Sequence, residues 1–298
     1  MEPPYEEILD GLQTGTVIPF LGAGASLSAR QAGLAWTSPQ CEFLPSGGEL
    51  AQYLDSRSGF PVEGSYDLSR IAQYYGMVAG RGRLDNQLRQ IFSRSYPAGT
   101  LHEYLTDFPN LVIVTTNYDR LIEESYERKN RPYHTVVYNM AQPVVMLKRA
   151  GGQGWEACDP QRMPIQAGEI PVLFKMHGSA IPEARQAESY VITEDDYVEF
   201  LSRMTGETAI PTIFGEPFRT SSFLFLGYGL RDWNLRVILH RIWKGEPRRM
   251  TSWAVQEKAD DLDQKFWERR DLLIFEMSIA AFLDRMRETA VHRTGGRP

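Results

Sequence analysis

Short apolar runs rich in β-branched residues alternate along this chain with longer amphipathic segments, and that alternation leaves few folds open. The runs are Thr16–Phe20, Leu111–Thr115, His134–Tyr138, Val172–Lys175, Phe223–Leu226, Thr251–Val255 and Leu272–Phe275. Each is continuously apolar rather than alternating, as a strand covered on both faces requires. Helical periodicity lies between them at Tyr5–Leu12, Asn117–Tyr126, Glu194–Arg203, Leu230–Trp243 and Ile279–Thr289. Strand followed by helix, repeated, predicts an α/β fold: a Rossmann-like, mostly parallel sheet with helices on both faces.

One section departs from this rhythm. From about Gly48 to Phe108 the spacing is helical throughout (Leu50, Tyr53, Leu54; Leu68, Ile71, Ala72; Leu84, Leu88, Ile91), which predicts a helical insertion beside the sheet within a single domain over 1–298. The Gly-, Pro- and Gln-rich stretch Gly151–Pro171 reads as a surface loop, and the polar tail His292–Pro298 as a fraying end.

Composition narrows the function. The formal net charge is −6, which disfavours general nucleic-acid binding because non-specific affinity comes from neutralised phosphates. Hydrophobic residues make up 42% of the chain, enough for a substantial core and against disorder as the main state. The two cysteines, Cys41 and Cys158, make neither a disulfide framework nor a four-cysteine zinc site, and suggest a reducing compartment. Met1–Asp10 is acidic and unlike a signal peptide. The apolar stretches Val17–Ala25 and Phe223–Leu230 are too short for a bilayer, which takes about 20 residues. A cytoplasmic protein is expected.

Four strand ends carry the chemistry. After Val17–Leu21 come Gly22, Ala23, Gly24 and Ser26, where glycines let a backbone approach a phosphate at a helix N-terminus. A third glycine of the dinucleotide fingerprint is absent, since position 27 is Leu27, and no Lys-Ser/Thr follows to make a phosphate-binding Walker loop. A plain tight turn reads equally well. Val112–Thr115 leads into Thr116, Asn117, Tyr118 and Asp119, polar groups at the carboxyl edge where such sheets bind ligands; the plainer reading is that Asn117 or Asp119 caps a helix. Val172–Lys175 leads into Met176, His177 and Gly178, placing an imidazole that titrates near ~6.5 where a general base would sit. Phe223–Leu226 leads into Gly227, Tyr228 and Gly229, then Asp232 and Asn234. Each signal alone is weak; four in this order are specific.

In that order the motifs resemble the sirtuin family, and most of all the bacterial sirtuin-like branch of anti-phage defence whose members hydrolyse NAD. Tyr190–Tyr197 and Gly227–Asn234 are especially similar to that branch, and the resemblance runs from about residue 15 to 285. It implies that Gly22, Ala23, Gly24 and Ser26 hold the NAD pyrophosphate. It further implies that Asn117, with Thr116 beside it, contacts the nicotinamide ribose and that Asp119 lies near the carboxamide. His177 matches the catalytic histidine, Gly227, Tyr228 and Gly229 the adenosine-side loop, and the resemblance implies further contacts there from Asp232 or Asn234.

The chain also departs from the deacylase pattern. Ala180–Ser222 holds no cysteine where deacylases carry a four-cysteine zinc module, so no structural zinc is expected and acyl-lysine binding is put in doubt. Ala29–Leu34 does not reproduce the Phe-Arg that follows the first glycine loop in the family, and Gly229 stands where serine is frequent. The expected activity is therefore NAD hydrolysis to ADP-ribose and nicotinamide, with Asn117 and His177 catalytic. The alternatives are an NAD-dependent deacylase and a non-catalytic NAD or ADP-ribose sensor. The resemblance also implies control by a homo-oligomer and a separately encoded HerA-type ATPase, or an Argonaute-like protein. The helical insertion, Gly151–Pro171 and the last helix are the expected contact surfaces.

Overall fold

The computed structural model describes residues 2–295 apart from 29, 32, 62–66, 206–209, 231–232 and 244–249; the side chains at 205, 233, 234, 294 and 295 also lie outside the description. In chain order the elements are α1 (Tyr5–Thr14), β1 (Val17–Leu21), α2 (Ala23–Leu27), α3 (Gly47–Ser58), α4 (Leu68–Ala79), α5 (Arg81–Phe92), α6 (Thr100–Leu105), β2 (Val112–Thr115), α7 (Leu121–Arg128), β3 (His134–Tyr138), β4 (Val145–Lys148), β5 (Trp155–Cys158), β6 (Val172–Lys175), β7 (Gly178–Ser179), β8 (Ser189–Tyr190), α8 (Glu194–Thr205), α9 (Gly215–Thr220), β9 (Ser222–Leu226), α10 (Trp233–Ile242), β10 (Ser252–Gln256), α11 (Asp261–Glu268), β11 (Leu272–Glu276) and α12 (Ile279–Gly295).

Nine strands form one sheet in the order β11-β10-β9-β1-β2-β6-β3-β4-β5. Every neighbouring pair is parallel except β3–β4 and β4–β5. The fold is α/β and mostly parallel, as the alternation of runs predicts. After β1 the chain turns first toward β2 and later returns to place β9 on the other side, so the order reverses at β1, where open sheets of this kind form a crevice.

Period-two alternation divides the buried side chains between the faces. Ile18, Phe20, Val114, Phe174 and Phe225 pack with Phe200 of α8, Phe218 of α9, Ile238 of α10 and Trp267 of α11. Val17, Leu21, Ile113, Leu173 and Leu226 pack with Ile8 of α1, Leu105 of α6, Tyr126 of α7 and Phe282 of α12. A third cluster unites α3, α4 and α5 through Leu54, Ile71, Leu84 and Leu88, together with Trp36, Tyr118 and Tyr190. Of the helices read as an insertion, α6 belongs instead to the layer on the sheet.

Several local expectations are corrected. The stretch Gly151–Pro171 is not loop throughout: it contains β5, which with β4 adds an antiparallel hairpin at the sheet edge. An edge strand needs less apolar cover, and the half-exposed Trp155 and Glu156 carry no continuous run to signal it. The helix expected from Asn117 begins at Leu121, because Asp119 Oδ1 accepts the Leu121 N–H at 3.1 Å and leaves residues 116–120 as a turn. The tail does not fray from His292: α12 continues to Gly295, packed on α1 and paired through Arg293 with Asp10. Residues 296–298 lie outside the description. Among the described residues no helix is long and apolar enough to cross a membrane.

Candidate nucleotide-binding cleft

The loops after β1, β2, β6 and β9 open onto a cleft of about 350 Å³ at the carboxyl ends of these strands. That is large enough to grip part of a dinucleotide. Gly22, Ala23, Ser26, Thr116, Asn117, Asp119, His177, Gly227, Tyr228 and Gly229 line it. Asp232 lies outside the described residues, as does the side chain of Asn234, whose backbone is in the first turn of α10. A larger groove of about 1020 Å³ lies between α1 and α12 near Val17 and Ser222, at the opposite ends of the strands.

The two glycine loops are interlocked. Gly24 N–H donates to Gly227 O at 2.8 Å, and Gly22 N–H to Leu226 O at 3.0 Å. Gly227 has φ +67°, and a Cβ there would stand 2.0 Å from Ala25 N. Only glycine permits that backbone and that approach. Gly24 thus serves the cleft by holding its wall, its N–H being committed to Gly227.

Polar groups then run across the floor in a chain. Thr115 Oγ1 donates to Leu21 O at 3.1 Å and accepts the Asn117 N–H at 3.0 Å, which pins the turn after β2 to the end of β1. Asn117 Nδ2 donates to Gly22 O and to Ser26 Oγ, both at 2.9 Å. Ser26 Oγ donates in turn to Asp119 Oδ2 at 2.7 Å. Asp119 is not the N-cap of α7, a position Arg120 holds, although its Oδ1 accepts the N–H of Leu121; its Oδ2 orients Ser26 and, through it, Asn117.

His177 lines the same cleft. It is 2% exposed, its ring lies edge-on to Tyr197 and Phe200 at 5.3 Å each, and its Nε2 has no hydrogen-bond partner among the described residues. Burial pushes its imidazole down to about 3, so it is neutral at physiological pH. A neutral imidazole with a free nitrogen in a lined cleft can exchange one proton with a bound hydroxyl or water. Gly178, next in the chain, has φ +87° and would bring a Cβ to 2.0 Å from Ser189 O, so the turn presenting His177 also requires glycine.

Sequence reasoning missed the outer wall. Leu44, Pro45, Ser46, Gly47 and Leu50 line the cleft from the insertion side, with Phe92 of α5 and Tyr197 of α8. Glu49 gathers this wall: it accepts from both Arg30 guanidinium nitrogens at 2.7 and 2.6 Å, from Trp36 N–H at 2.7 Å and from Ser46 N–H at 2.8 Å. The Arg30 guanidinium, followed by these backbone donors, holds the Glu49 carboxyl down at about 2. The Ser-x-x-Glu spacing of a capping box was the one signal available in the sequence. Among the described residues no group of three His, Cys, Asp or Glu is placed to hold a metal ion.

A mostly parallel sheet with glycine junctions at its switch point and a buried histidine lining the cleft there defines an α/β protein with a candidate ligand site. The model of the SIR2-like domain matches residues 111–275, and the chain belongs to the SIR2-like family. It is 27% identical over 270 residues to NAD(+) hydrolase ThsA of Bacillus cereus (strain MSX-D12), covering 87% of this chain and 48% of that protein. With defense-associated sirtuin 2 of Bacillus subtilis it is 24% identical over 269 residues, covering 89% of this chain and 22% of that one. A ThsA of Enterococcus faecium is 26% identical over 269 residues, 88% of this chain and 47% of its own length. The chain thus spans about half or less of these relatives.

Proposed function

We propose that the protein hydrolyses NAD at the nicotinamide–ribose bond, giving ADP-ribose and nicotinamide. What carries this reading is the meeting of Asn117, oriented through Gly22 O and Ser26, with the unpartnered Nε2 of His177 in one cleft. Similarity to relatives named as NAD(+) hydrolases supports the substrate and the reaction type. In this reading the glycine loops after β1 and β9 hold the phosphates and the adenosine side, while Asn117 faces the nicotinamide ribose and Asp119 lies near the carboxamide.

In intact NAD the nicotinamide ring is a cationic pyridinium. When the C1′–N bond breaks, its electron pair goes to the ring nitrogen and nicotinamide departs neutral. Positive charge develops on the ribose, as in other glycoside cleavages, and the water oxygen forms the new bond at C1′. The water's proton is released, and neutral His177 can take it up at Nε2 before passing it to solvent. Asn117 contributes by orientation rather than by charge.

Asn117→Ala and His177→Ala should each lower nicotinamide release by about a hundredfold or more, following the usual size of positioning and proton-transfer effects. Both variants should keep the circular dichroism of the native fold. Near-normal turnover in either would remove that residue from the reaction.

An unrestrained activity of this kind would be toxic to its own cell. Control is proposed to come from assembly: a homo-oligomer joined by a separately encoded HerA-type ATPase, with an Argonaute-like protein as the other partner class. Met77 on α4 and Val198 on α8 are 74% and 68% exposed and lie outside the cleft lining, which supports contact surfaces away from the site.

A further inference from the structure

Lys175 closes β6, paired in register with Thr115 of β2, and is 1% exposed. A lysine so deeply buried must be paired and hydrogen-bonded to persist. Its Nζ lies 2.9 Å from Glu123 Oε1 on α7 and also donates to the backbone carbonyl of Asp119. The Glu123 side chain is itself buried.

These partners matter because of where they sit. The Asp119 carbonyl belongs to the turn that carries Asn117. On the sheet side that turn is held by Thr115 Oγ1, which accepts the Asn117 N–H. On the far side it is held by Lys175 Nζ. Asn117 therefore lies between two anchors, and His177 follows Lys175 by two residues on the same segment. We propose that Lys175, held in place by Glu123, is a positioning residue that fixes Asn117 relative to His177. The effect on turnover rests on the NAD-hydrolase reading; the tether itself does not.

The test separates positioning from plain stability. Lys175→Met and Glu123→Gln each leave one buried partner without its ion. Lys175→Met with Glu123→Leu removes both, a replacement that is often neutral or stabilising. The double variant is expected to recover most of the wild-type thermal midpoint. Its kcat for nicotinamide release should nevertheless stay at least about tenfold down, with KM for NAD changed much less, because a misplacement of roughly 1 Å can cost about a hundredfold. Recovery of kcat together with the midpoint would overturn the proposal.

Hydrogen–deuterium exchange supplies a second readout that needs no catalysis and that Lys175→Met alone provides. The peptide covering Asn117–Arg120 should exchange faster than in the wild type while β1 and β9 keep their protection. Unchanged exchange in that peptide overturns the tether. If the wild type releases no nicotinamide but the exchange changes as expected, the functional reading fails and the tether stands.

Discussion

At the scale of single residues, His177 has the most direct chemical consequence. Burial holds its imidazole at about 3, and burial also lowers that of His102 on α6. In the unfolded chain both would titrate near ~6.5. Between those values the unfolded state binds more protons than the folded one, so stability rises with pH and is lost as pH falls from about 6.5 toward 3. Thermal midpoints across pH 4–8 should show this loss, and His177→Ala should show less of it. Nicotinamide release should in turn lack an inflection near pH 6.5, since His177 is already neutral there. A clear inflection that disappears in His177→Gln would mean that the imidazole titrates in the normal range.

Lys175 shows what a sequence conceals at this scale. A lysine at the end of an apolar run is visible as an anomaly, but nothing local says that its Nζ reaches Asp119 and Glu123, more than fifty residues earlier. The place of Asn117 and His177 at the cleft was legible because both follow strand ends, and strand ends are fixed by periodicity.

At the scale of elements, the capping box of α3 does two jobs. Ser46 Oγ accepts the Glu49 N–H at 3.2 Å while the Glu49 carboxylate closes the box and also gathers Arg30 and Trp36. Glu49→Ala should destabilise the protein by about 1–3 kcal/mol, the cost of leaving such donors without an acceptor. It should also raise KM for NAD more than it lowers kcat, since the segment it organises walls the cleft. Thermal melting and steady-state kinetics would check both, and an unchanged KM would detach this wall from substrate binding. The seven expected strands all appear, because burial on both faces forces continuous apolar sequence. Of the hairpin, β5 leaves no such run because it is a half-exposed edge strand, whereas β4 is buried and its short apolar run Val144–Leu147 was legible but overlooked.

At the scale of the whole molecule, the proposed assembly makes a mass and an activity measurable. Light scattering should give more than one copy per particle, and Met77→Glu with Val198→Glu should lower that number without altering the fold. NAD turnover should change when a HerA-type ATPase partner is added. A fully active monomer indifferent to that partner would contradict the proposal.

The interlock between Gly24 and Gly227 also has a consequence in time. A ribosome making about 5–20 residues per second needs roughly 10–40 s to pass from one loop to the other. Until β9 emerges, the wall that Gly24 builds against Gly227 does not exist, whatever the earlier strands have done. On the proposed NAD-hydrolase reading, stalled or prematurely ended chains should therefore be unable to consume NAD. Fragments ending before Ser222, purified and given NAD, should release no nicotinamide, so that an error in synthesis produces an inert piece rather than a poison.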